Sequence, residues 1–479
     1  MKRLAFLITG LLFTCLLNSH PWKPNHYVIV DTDGGVDDMK AITMLLASPD
    51  VRVLAITVSP GALSVEKAYT KVRSLLNSFY HEGIPVGINN DVKFSPKNFP
   101  LALNYAWGDE KNIIPESAPD YLKLVKSIIT TEKTKIRFVC LAGMSTAYSS
   151  LSEIPEFSRQ VKDIVWSVSA AGADDSFNYS IDKKASVKML KQEIPVKLVR
   201  NMSDQDEGIY SIQLTGSIQN TRTVYAQKIY GFLTSDESKD HPYSYSGADD
   251  LVPVFIHYPE LFVNKTAYTV SDCTPANIIG IRESILKILS GETIDRNQVI
   301  KVIPADPAFY FNDISSSVSE IINRYGIDEW TSGVIANELH RHLGVFAIIG
   351  VKMGIRAREY FNTGVDEFSV VSFAGSTPPL SCMNDGLQVS TGATPGHGLL
   401  TVINSERLIP SAEFTYLGHK IKLTLKPEIA DKISSELKEI NFIHGLDSDI
   451  YWEMVRKNSI KYWKELDRHE IFLIETSSP

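Results

Sequence analysis

The feature that most constrains this sequence is a regular alternation of short apolar runs with segments of helical periodicity, which begins near residue 26. Runs such as HYVIVD and VRVLAITV have the length and β-branched content of buried strands. Segments such as DDMKAITMLLASP and SVEKAYTKVRSLLNSF place apolar residues at helical spacing. This alternation predicts an α/β fold with an open, mostly parallel sheet flanked by helices. In such a sheet, ligands bind at the carboxyl ends of the strands.

Four carboxylates follow the first predicted strand within VIVDTDGGVDDMKAI, at Asp31, Asp33, Asp37 and Asp38. Like charges this close repel one another unless a cation is present. Ligands that are all oxygen favour a hard ion, Ca²⁺ or Mg²⁺. Helix capping by Asp37 and Asp38 is the simpler alternative, but it does not account for Asp31 and Asp33, which precede the turn. An EF-hand loop is a poor match because its downstream Glu is absent.

Length and charge limit the remaining classes. A chain of 479 residues is expected to form two or three domains. Its formal net charge of -8 argues against a nucleic-acid partner. Three cysteines outside the N-terminal segment do not make a disulfide framework.

The N-terminal segment, residues 1–22, is predicted to be a signal peptide. A basic start, MKR, precedes the apolar run LAFLITGLLFTCLL, which is short for a membrane span. An uncleaved anchor is the alternative, and lipid anchoring at Cys15 is disfavoured by its neighbours Thr14 and Leu16. We therefore expect an exported protein, periplasmic or secreted, with no membrane span in its mature form.

The motif DTDGGVDD resembles the DTDPGxDD signature of the calcium-dependent, inosine/uridine-preferring nucleoside hydrolases. Further segments resemble that family in the same order over residues 26–325: AITVSPG, LAGMSTAYSSL, SFNYSIDKKAS and GADDLVPVFIHYPELF. The resemblance implies a nucleoside-hydrolase-like sheet and hydrolysis of N-glycosidic bonds in ribonucleosides or related ribosyl compounds by calcium-activated water. The expected partner is thus a small nucleoside or ribosyl substrate.

The resemblance also implies roles for individual residues. Asp33 corresponds to the general base and to a calcium ligand. Further calcium ligands correspond to Asp38, Asp249 and Ser145, the last through its carbonyl, while Asp37 and Asn178 correspond to substrate-binding residues. Asp31 corresponds to a residue that supports the site.

Several positions depart from the family pattern: Gly34 replaces Pro, Ala62 replaces Asn, Ser176 replaces Glu and Ala248 replaces His. His241 is a candidate to replace the missing leaving-group acid, although a solvated loop histidine is the simpler interpretation. The retained carboxylates favour an enzyme. The lost contacts favour the alternative, a non-catalytic, calcium-dependent protein that binds a ribosyl ligand.

The segment 326–479 resembles the E-chain family of formylmethanofuran dehydrogenase and predicts a smaller α+β domain. The resemblance is carried by the HRH segment and by a later run containing Cys382, Asp385, Gln388, Thr391, Thr394 and Gly396. His340, His342 and Cys382 are candidate ligands of Zn²⁺. The alternative is one satisfied histidine, one exposed histidine and a buried thiol. A binding or oligomerisation role is expected for this domain, and the formation of a homo-oligomer is left open.

Overall fold

The computed structural model describes residues 24–202, 209–239, 248–292, 299–300 and 302–477. The chain divides into two compact units. The N-terminal unit contains Pro24–Asn297 together with Glu359–Thr363, and the C-terminal unit contains Gln298–Arg358 and Gly364–Pro479. The predicted signal peptide and His241 lie outside the described residues.

The N-terminal unit is built on an eight-stranded sheet in the order β3-β2-β1-β4-β5-β6-β8-β7. All neighbouring strands are parallel except β7 and β8, which form an antiparallel pair at one edge. The strands are β1 His26–Thr32, β2 Val51–Val58, β3 Val86–Ile88, β4 Ile136–Cys140, β5 Val161–Val168, β6 Val196–Arg200, β7 Phe262–Ala267 and β8 Val270–Pro275.

Twelve α-helices of the described residues belong to this unit. They are α1 Val36–Ala47, α2 Val65–Ser78, α3 Pro100–Asn104, α4 Tyr121–Thr131, α5 Ser145–Glu153, α6 Phe157–Gln160, α7 Phe177–Ile181, α8 Lys183–Met189, α9 Ile212–Asn220, α10 Val224–Leu233, α11 Leu251–His257 and α12 Ile278–Ser290. Strands β1, β2 and β5 are almost entirely buried, as their continuous apolar sequences require when helices cover both faces of a sheet.

The strand order places a topological switch at β1, which pairs with β2 on one side and β4 on the other. The chain moves outward from β1 to β3 and then returns to β4, so a crevice is expected outside the carboxyl ends of β1 and β4. In the register of this pair, Asp31 lies opposite Cys140. The first acidic residues after β1 therefore lie at the point of the sheet where such folds bind ligands.

The C-terminal unit contains a five-stranded sheet in the order β10-β9-β11-β12-β13. Strands β9 and β10 are parallel and the other pairs are antiparallel. Its strands are β9 Ser369–Ser372, β10 Leu400–Val402, β11 Ser411–Tyr416, β12 His419–Leu425 and β13 Phe472–Ser477. Its helices are α13 Asn312–Ser315, α14 Val318–Tyr325, α15 Ile327–His340, α16 Val345–Phe361 (whose last residues group with the N-terminal unit), α17 Met383–Thr391, α18 Pro427–His444 and α19 Asp449–Glu465.

The core of the C-terminal unit includes residues that precede position 326. Ile314, Val318 and Ile321 pack in one apolar cluster with Trp330 and Trp463, whose rings stack at 5.1 Å. Helices α13 and α14 thus belong to this unit, and the sequence-based boundary at 325/326 falls inside it. The fold class is confirmed: a large, mostly parallel α/β sheet with helices, and a smaller unit with a largely antiparallel sheet.

A buried charge cluster lies beside this aromatic core. Glu329 and Lys352 form an ion pair in which both side chains are fully buried, and Nη1 of Arg468 lies 2.9 Å from the second oxygen of Glu329. The Lys352 ammonium also lies 3.6 Å from the centroid of the Tyr325 ring. None of the helices in the described part of the chain is long and apolar enough to cross a membrane.

Candidate active site and a second cavity

The acidic turn between β1 and α1 is held by hydrogen bonds among its own residues. Gly34 adopts φ +80°, a left-handed conformation that glycine accepts without strain, and its N–H donates to Oγ1 of Thr32 at 3.0 Å. The Thr32 hydroxyl in turn donates to Oδ2 of Asp38 at 2.6 Å, and the N–H of Asp33 donates to the same oxygen at 3.0 Å. The N–H of Gly35 donates to Oδ1 of Asp33 at 3.2 Å. This network fixes the carboxylates of Asp33 and Asp38 in one turn.

Asp249 joins this turn from a distant part of the sequence. It immediately precedes Asp250, the residue at the N-terminus of α11. One carboxylate oxygen from each of Asp37, Asp38 and Asp249 lies within 4.8 Å of the others. Asp33, Asp38 and Asp249 are each at most 3% exposed, whereas Asp37 is half-buried.

The electrostatics of this cluster are unfavourable without a cation. Burial, and then the neighbouring carboxylates, raise the pKa of Asp33 to about 7. The same causes raise the pKa values of Asp38 and Asp249 well above the usual range. Oδ2 of Asp33 is buried and has no hydrogen-bond partner within the protein. An oxygen-only donor set with an unpartnered carboxylate oxygen fits a hard divalent cation.

Asp31 occupies a different position, beneath the turn. It is fully buried, and it accepts hydrogen bonds from Oγ1 of Thr57 at 2.6 Å and from Oγ of Ser59 at 3.1 Å. Burial raises the pKa of Asp31 to about 7. Its oxygens are thus engaged with β2 and the residues that follow it, and Asp31 links the ends of the two strands on which the turn rests.

Ser145 and Asn178 lie near the carboxyl ends of β4 and β5. Ser145 begins α5, and its hydroxyl donates to Oδ2 of Asp182 at 3.0 Å. The side-chain amide of Asn178 donates to the carbonyls of Leu141 at 2.8 Å and Ser167 at 3.3 Å, directly after β4 and within β5. The amide nitrogen is therefore engaged by the sheet, and its oxygen remains as the group that a ligand can contact.

A buried ion pair lies next to the cluster and was missed by sequence reasoning. Nζ of Lys40 lies 2.8 Å from Oδ2 of Asp250, and both side chains are fully buried. The ammonium also lies 4.6 Å from the centroid of the Tyr210 ring. The available signal was a lysine among the apolar residues of the helix MKAITMLL, where a charge requires a buried partner.

A separate cavity of about 400 Å³ lies in the C-terminal unit. His340 lines it and ends α15, and its Nδ1 lies 2.7 Å from Oδ2 of Asp385. Nε2 of His340 is buried without a hydrogen-bond partner. Cys382 lines the same cavity, and burial raises the pKa of its thiol to about 11. The other lining residues are Ser376, Pro378, Ser381, Asn384, Gln388, Pro395, Leu400 and Val402.

The structure brings only part of the predicted zinc set together. The rings of His340 and His342 have centroids 4.1 Å apart, but His342 also packs against Trp452 and is not among the residues lining the cavity. Among the described residues, two sets of His, Cys, Asp or Glu place three ligand atoms within 4.8 Å of one another, and neither set contains His340, His342 or Cys382.

Comparison with known proteins identifies the N-terminal unit. The family model described as inosine-uridine preferring nucleoside hydrolase matches residues 28–297, more than half of the chain. The chain belongs to this family. A second model, FmdE of the molybdenum formylmethanofuran dehydrogenase operon, matches residues 339–446. Both resemblances inferred from the sequence are confirmed.

Individual relatives match the nucleoside hydrolase part. Pyrimidine-specific ribonucleoside hydrolases RihA of Citrobacter koseri and Escherichia coli O1:K1 / APEC are each 26% identical, over 255 and 253 residues. Each match covers 49% of this chain and 80% of the relative. Among solved structures, the inosine-uridine preferring nucleoside hydrolase of Bacillus anthracis matches with a TM-score of 0.43 and 16% identity, covering 56% of this chain and 99% of that one.

Proposed function

We propose that the N-terminal unit of this nucleoside hydrolase family member hydrolyses the N-glycosidic bond of ribonucleosides or related ribosyl compounds in a calcium-dependent reaction. The observation that carries the proposal is the convergence of Asp33, Asp37, Asp38 and Asp249 at the carboxyl edge of the sheet, beside the switch between β1 and β4. Ligand binding at this edge is general for open α/β sheets.

The ion would be held by the buried carboxylates of Asp33, Asp38 and Asp249, together with the carbonyl of Ser145. When bound, Ca²⁺ polarises a water and offsets the mutual repulsion of these carboxylates. The unpartnered Oδ2 of Asp33 supports this assignment, because a buried carboxylate oxygen without a donor is otherwise costly.

Asp33 is the residue we assign as general base. The Gly35 N–H holds its Oδ1, so the carboxylate has a fixed orientation and its Oδ2 can accept a proton from the attacking water. Asp37, half-buried at the start of α1, and Asn178, fixed by two backbone carbonyls, are assigned to the ribose hydroxyls. These residues orient the sugar relative to the base.

The test is an assay of free ribose released from a panel of purine and pyrimidine nucleosides. Wild type is compared with Asp33→Ala and with Asp109→Ala, a change at a loop aspartate in the same unit. We expect release by wild type and Asp109→Ala, and loss of release in Asp33→Ala. Full activity of Asp33→Ala would remove the proposed base.

A non-catalytic role in binding a ribosyl ligand is the second candidate, and the residues at three positions favour it. Ala62 and Ser176 are buried and Ala248 is half-buried, where the family pattern has Asn, Glu and His. Ala248 supplies no acid for the leaving base. Calorimetry that detects nucleoside binding with calcium, in a protein that releases no ribose, would support this role over hydrolysis.

For the C-terminal unit we propose transition-metal binding, with Zn²⁺ at His340. Asp385 accepts a hydrogen bond from Nδ1 of His340, so Nε2 presents its lone pair, the arrangement found around many metal-binding histidines. Cys382 lines the same cavity, and His342 is the neighbouring imidazole. Zinc titration of wild type, His340→Gln and the matched variant His444→Gln tests this: affinity must fall only in His340→Gln.

Export is also proposed, on the basic and apolar pattern of residues 1–22. Fractionation of cells that express the full chain tests it. Recovery of the protein in the periplasm or medium, without residues 1–22, supports export. Recovery of the intact chain in the cytoplasm contradicts it.

A further inference from the structure

Two histidines and one aspartate meet at the opposite edge of the N-terminal sheet. His26 is the first residue of β1, Asp50 immediately precedes β2, and His257 is the last residue of α11. One ligand atom from each of the three lies within 4.8 Å of the others. These residues lie at the amino ends of the strands, whereas the acidic turn follows the carboxyl end of β1.

The nitrogen atoms of this cluster are poorly satisfied by the protein. Nδ1 of His26 and Nε2 of His257 are buried and have no hydrogen-bond partner. Nε2 of His26 lies 3.8 Å from Oδ2 of Asp50, beyond hydrogen-bond distance. The two imidazole rings meet edge to face, with centroids 5.4 Å apart and planes at 87°. Unpaired buried imidazole nitrogens are costly unless another group completes them.

The carboxylate of the cluster is held in place from outside it. The N–H of Asn25 donates to Oδ1 of Asp50 at 2.8 Å, and its side-chain amide donates to Oδ2 at 3.1 Å. Each oxygen retains a further lone pair. The N–H of His26 also donates to the carbonyl of Asp50 at 3.1 Å, which fixes the start of β1 against the start of β2. Such outer contacts are typical of residues that orient a metal ligand.

We propose that His26, Asp50 and His257 form a structural site for a transition metal, Zn²⁺ in the first instance. Two imidazoles and a carboxylate are a common zinc ligand set, and imidazole is a poor ligand for Ca²⁺. A tetrahedral zinc site with bonds of about 2.0–2.1 Å places its ligand atoms roughly 3.4 Å apart. Small rotations of the three side chains close the observed separations to that value.

The surrounding charges are compatible with a bound cation. Arg137 is close enough to His26 and His257 to influence both, but it forms a bidentate pair with Asp163 at 2.7 and 2.9 Å. Lys162 also acts on His26. Burial first, and then Arg137 among the neighbouring charges, lower the pKa of His26 to about 3, and burial lowers the pKa of His257 to about 4. Both imidazoles are therefore neutral, which is the form that binds metal.

The metal would join three elements at this edge: the starts of β1 and β2 and the end of α11. Asp249, which contributes to the acidic cluster, lies just before the first turn of α11, and this helix has only seven residues. Its two ends are thus about 10 Å apart. A metal at His257 would fix the far end of the short helix that positions Asp249.

The test is a zinc titration of chelator-treated full-length protein in saturating Ca²⁺, which occupies the acidic site and leaves imidazole sites open. His257→Gln and Asp50→Asn are compared with His444→Gln, a change at a histidine in the C-terminal unit. All are made in a His340→Gln background, so that a metal at the cavity does not contribute. We expect one zinc equivalent in the background protein and in the His444→Gln variant, and its loss in the other two.

Zinc should also raise the melting temperature of the background protein, but not that of the two variants. A Co²⁺-substituted sample should show visible absorption without a thiolate charge-transfer band, because no cysteine belongs to the set. If His257→Gln does not fold, Asp50→Asn decides, since Asn retains an oxygen for the Asn25 contacts. Equal zinc binding in all variants, or no zinc bound by the background protein, would overturn the proposal.

Discussion

The N–H of Asp33 donates a 3.0 Å hydrogen bond to Oδ2 of Asp38, so the backbone of one acidic residue fixes the side chain of another. The same oxygen accepts the Thr32 hydroxyl at 2.6 Å. These donors partly offset the charge of Asp38 and hold it beside Asp33, where repulsion would otherwise separate the two side chains. The turn thus preorganises two of the proposed ligands before an ion binds.

Gly61 provides the first prediction, because it packs directly against Asp33. A Cβ at position 61 would lie 2.1 Å from Oδ2 of Asp33 and 2.7 Å from its Cβ, so the carboxylate must move. We expect Gly61→Ala to abolish ribose release and weaken calcium binding. Gly216→Ala is the control, since a Cβ there meets no atom within 4 Å and helix α9 should gain about 0.5–1 kcal/mol. Normal activity in Gly61→Ala would contradict the placement of Asp33.

Asp249→Asn should weaken calcium binding, because it removes one buried charge from the cluster while preserving the side-chain shape. We expect the dissociation constant, measured by calorimetry on chelator-treated protein, to rise by about tenfold or more. Asp236→Asn, a change at an exposed aspartate that pairs with Lys239, should leave it unchanged. Identical calcium affinities in both variants would argue against Asp249 as a ligand.

Asn178→Ala tests the assignment to ribose. The change removes donors to the carbonyls of Leu141 and Ser167 and the amide oxygen proposed to contact the sugar. We expect KM for the best nucleoside to rise by about tenfold. Asn220→Ala removes a comparable side-chain bond, to the carbonyl of Gly216, and should leave KM unchanged. If the two variants share the wild-type KM, Asn178 does not contact the substrate.

Glu329→Gln should destabilise the C-terminal unit, because it leaves the buried Lys352 and Arg468 without their shared carboxylate. Loss of one partner of a buried ion pair costs about 3–5 kcal/mol. Glu320→Gln breaks a partly exposed pair with Lys464 and should cost at most about 1 kcal/mol. Urea unfolding of both variants measures the difference, and equal midpoints would show that the buried cluster contributes no more than the surface pair.

The sequence was most informative where the chemistry is local. The period of two or of 3.6 residues predicted the alternating strands and helices, and the acidic motif placed Asp33, Asp37 and Asp38 in one turn. The domain boundary was harder to place, because α13 and α14 follow the preceding segment without a flexible linker, and only their packing against Trp330 and Trp463 assigns them.

Contacts between distant segments could not be derived from periodicity. Asp249 was found only through the family resemblance, and Lys40 with Asp250 was missed although a lysine in an apolar helix was a signal. His26, Asp50 and His257 carry no motif at all, since they come from two strand starts and one helix end. Only the sheet order brings these ends together, and strand order is not encoded in local spacing.

The most direct test of the central claim is the rate of ribose release by chelator-treated wild-type protein as Ca²⁺ is added back, with calcium binding measured on the same sample. The account predicts no release without the ion, and a rate that rises in proportion to calcium bound at a site that Asp249→Asn weakens. Undiminished release in the presence of chelator would contradict it, and so would release that does not follow calcium occupancy.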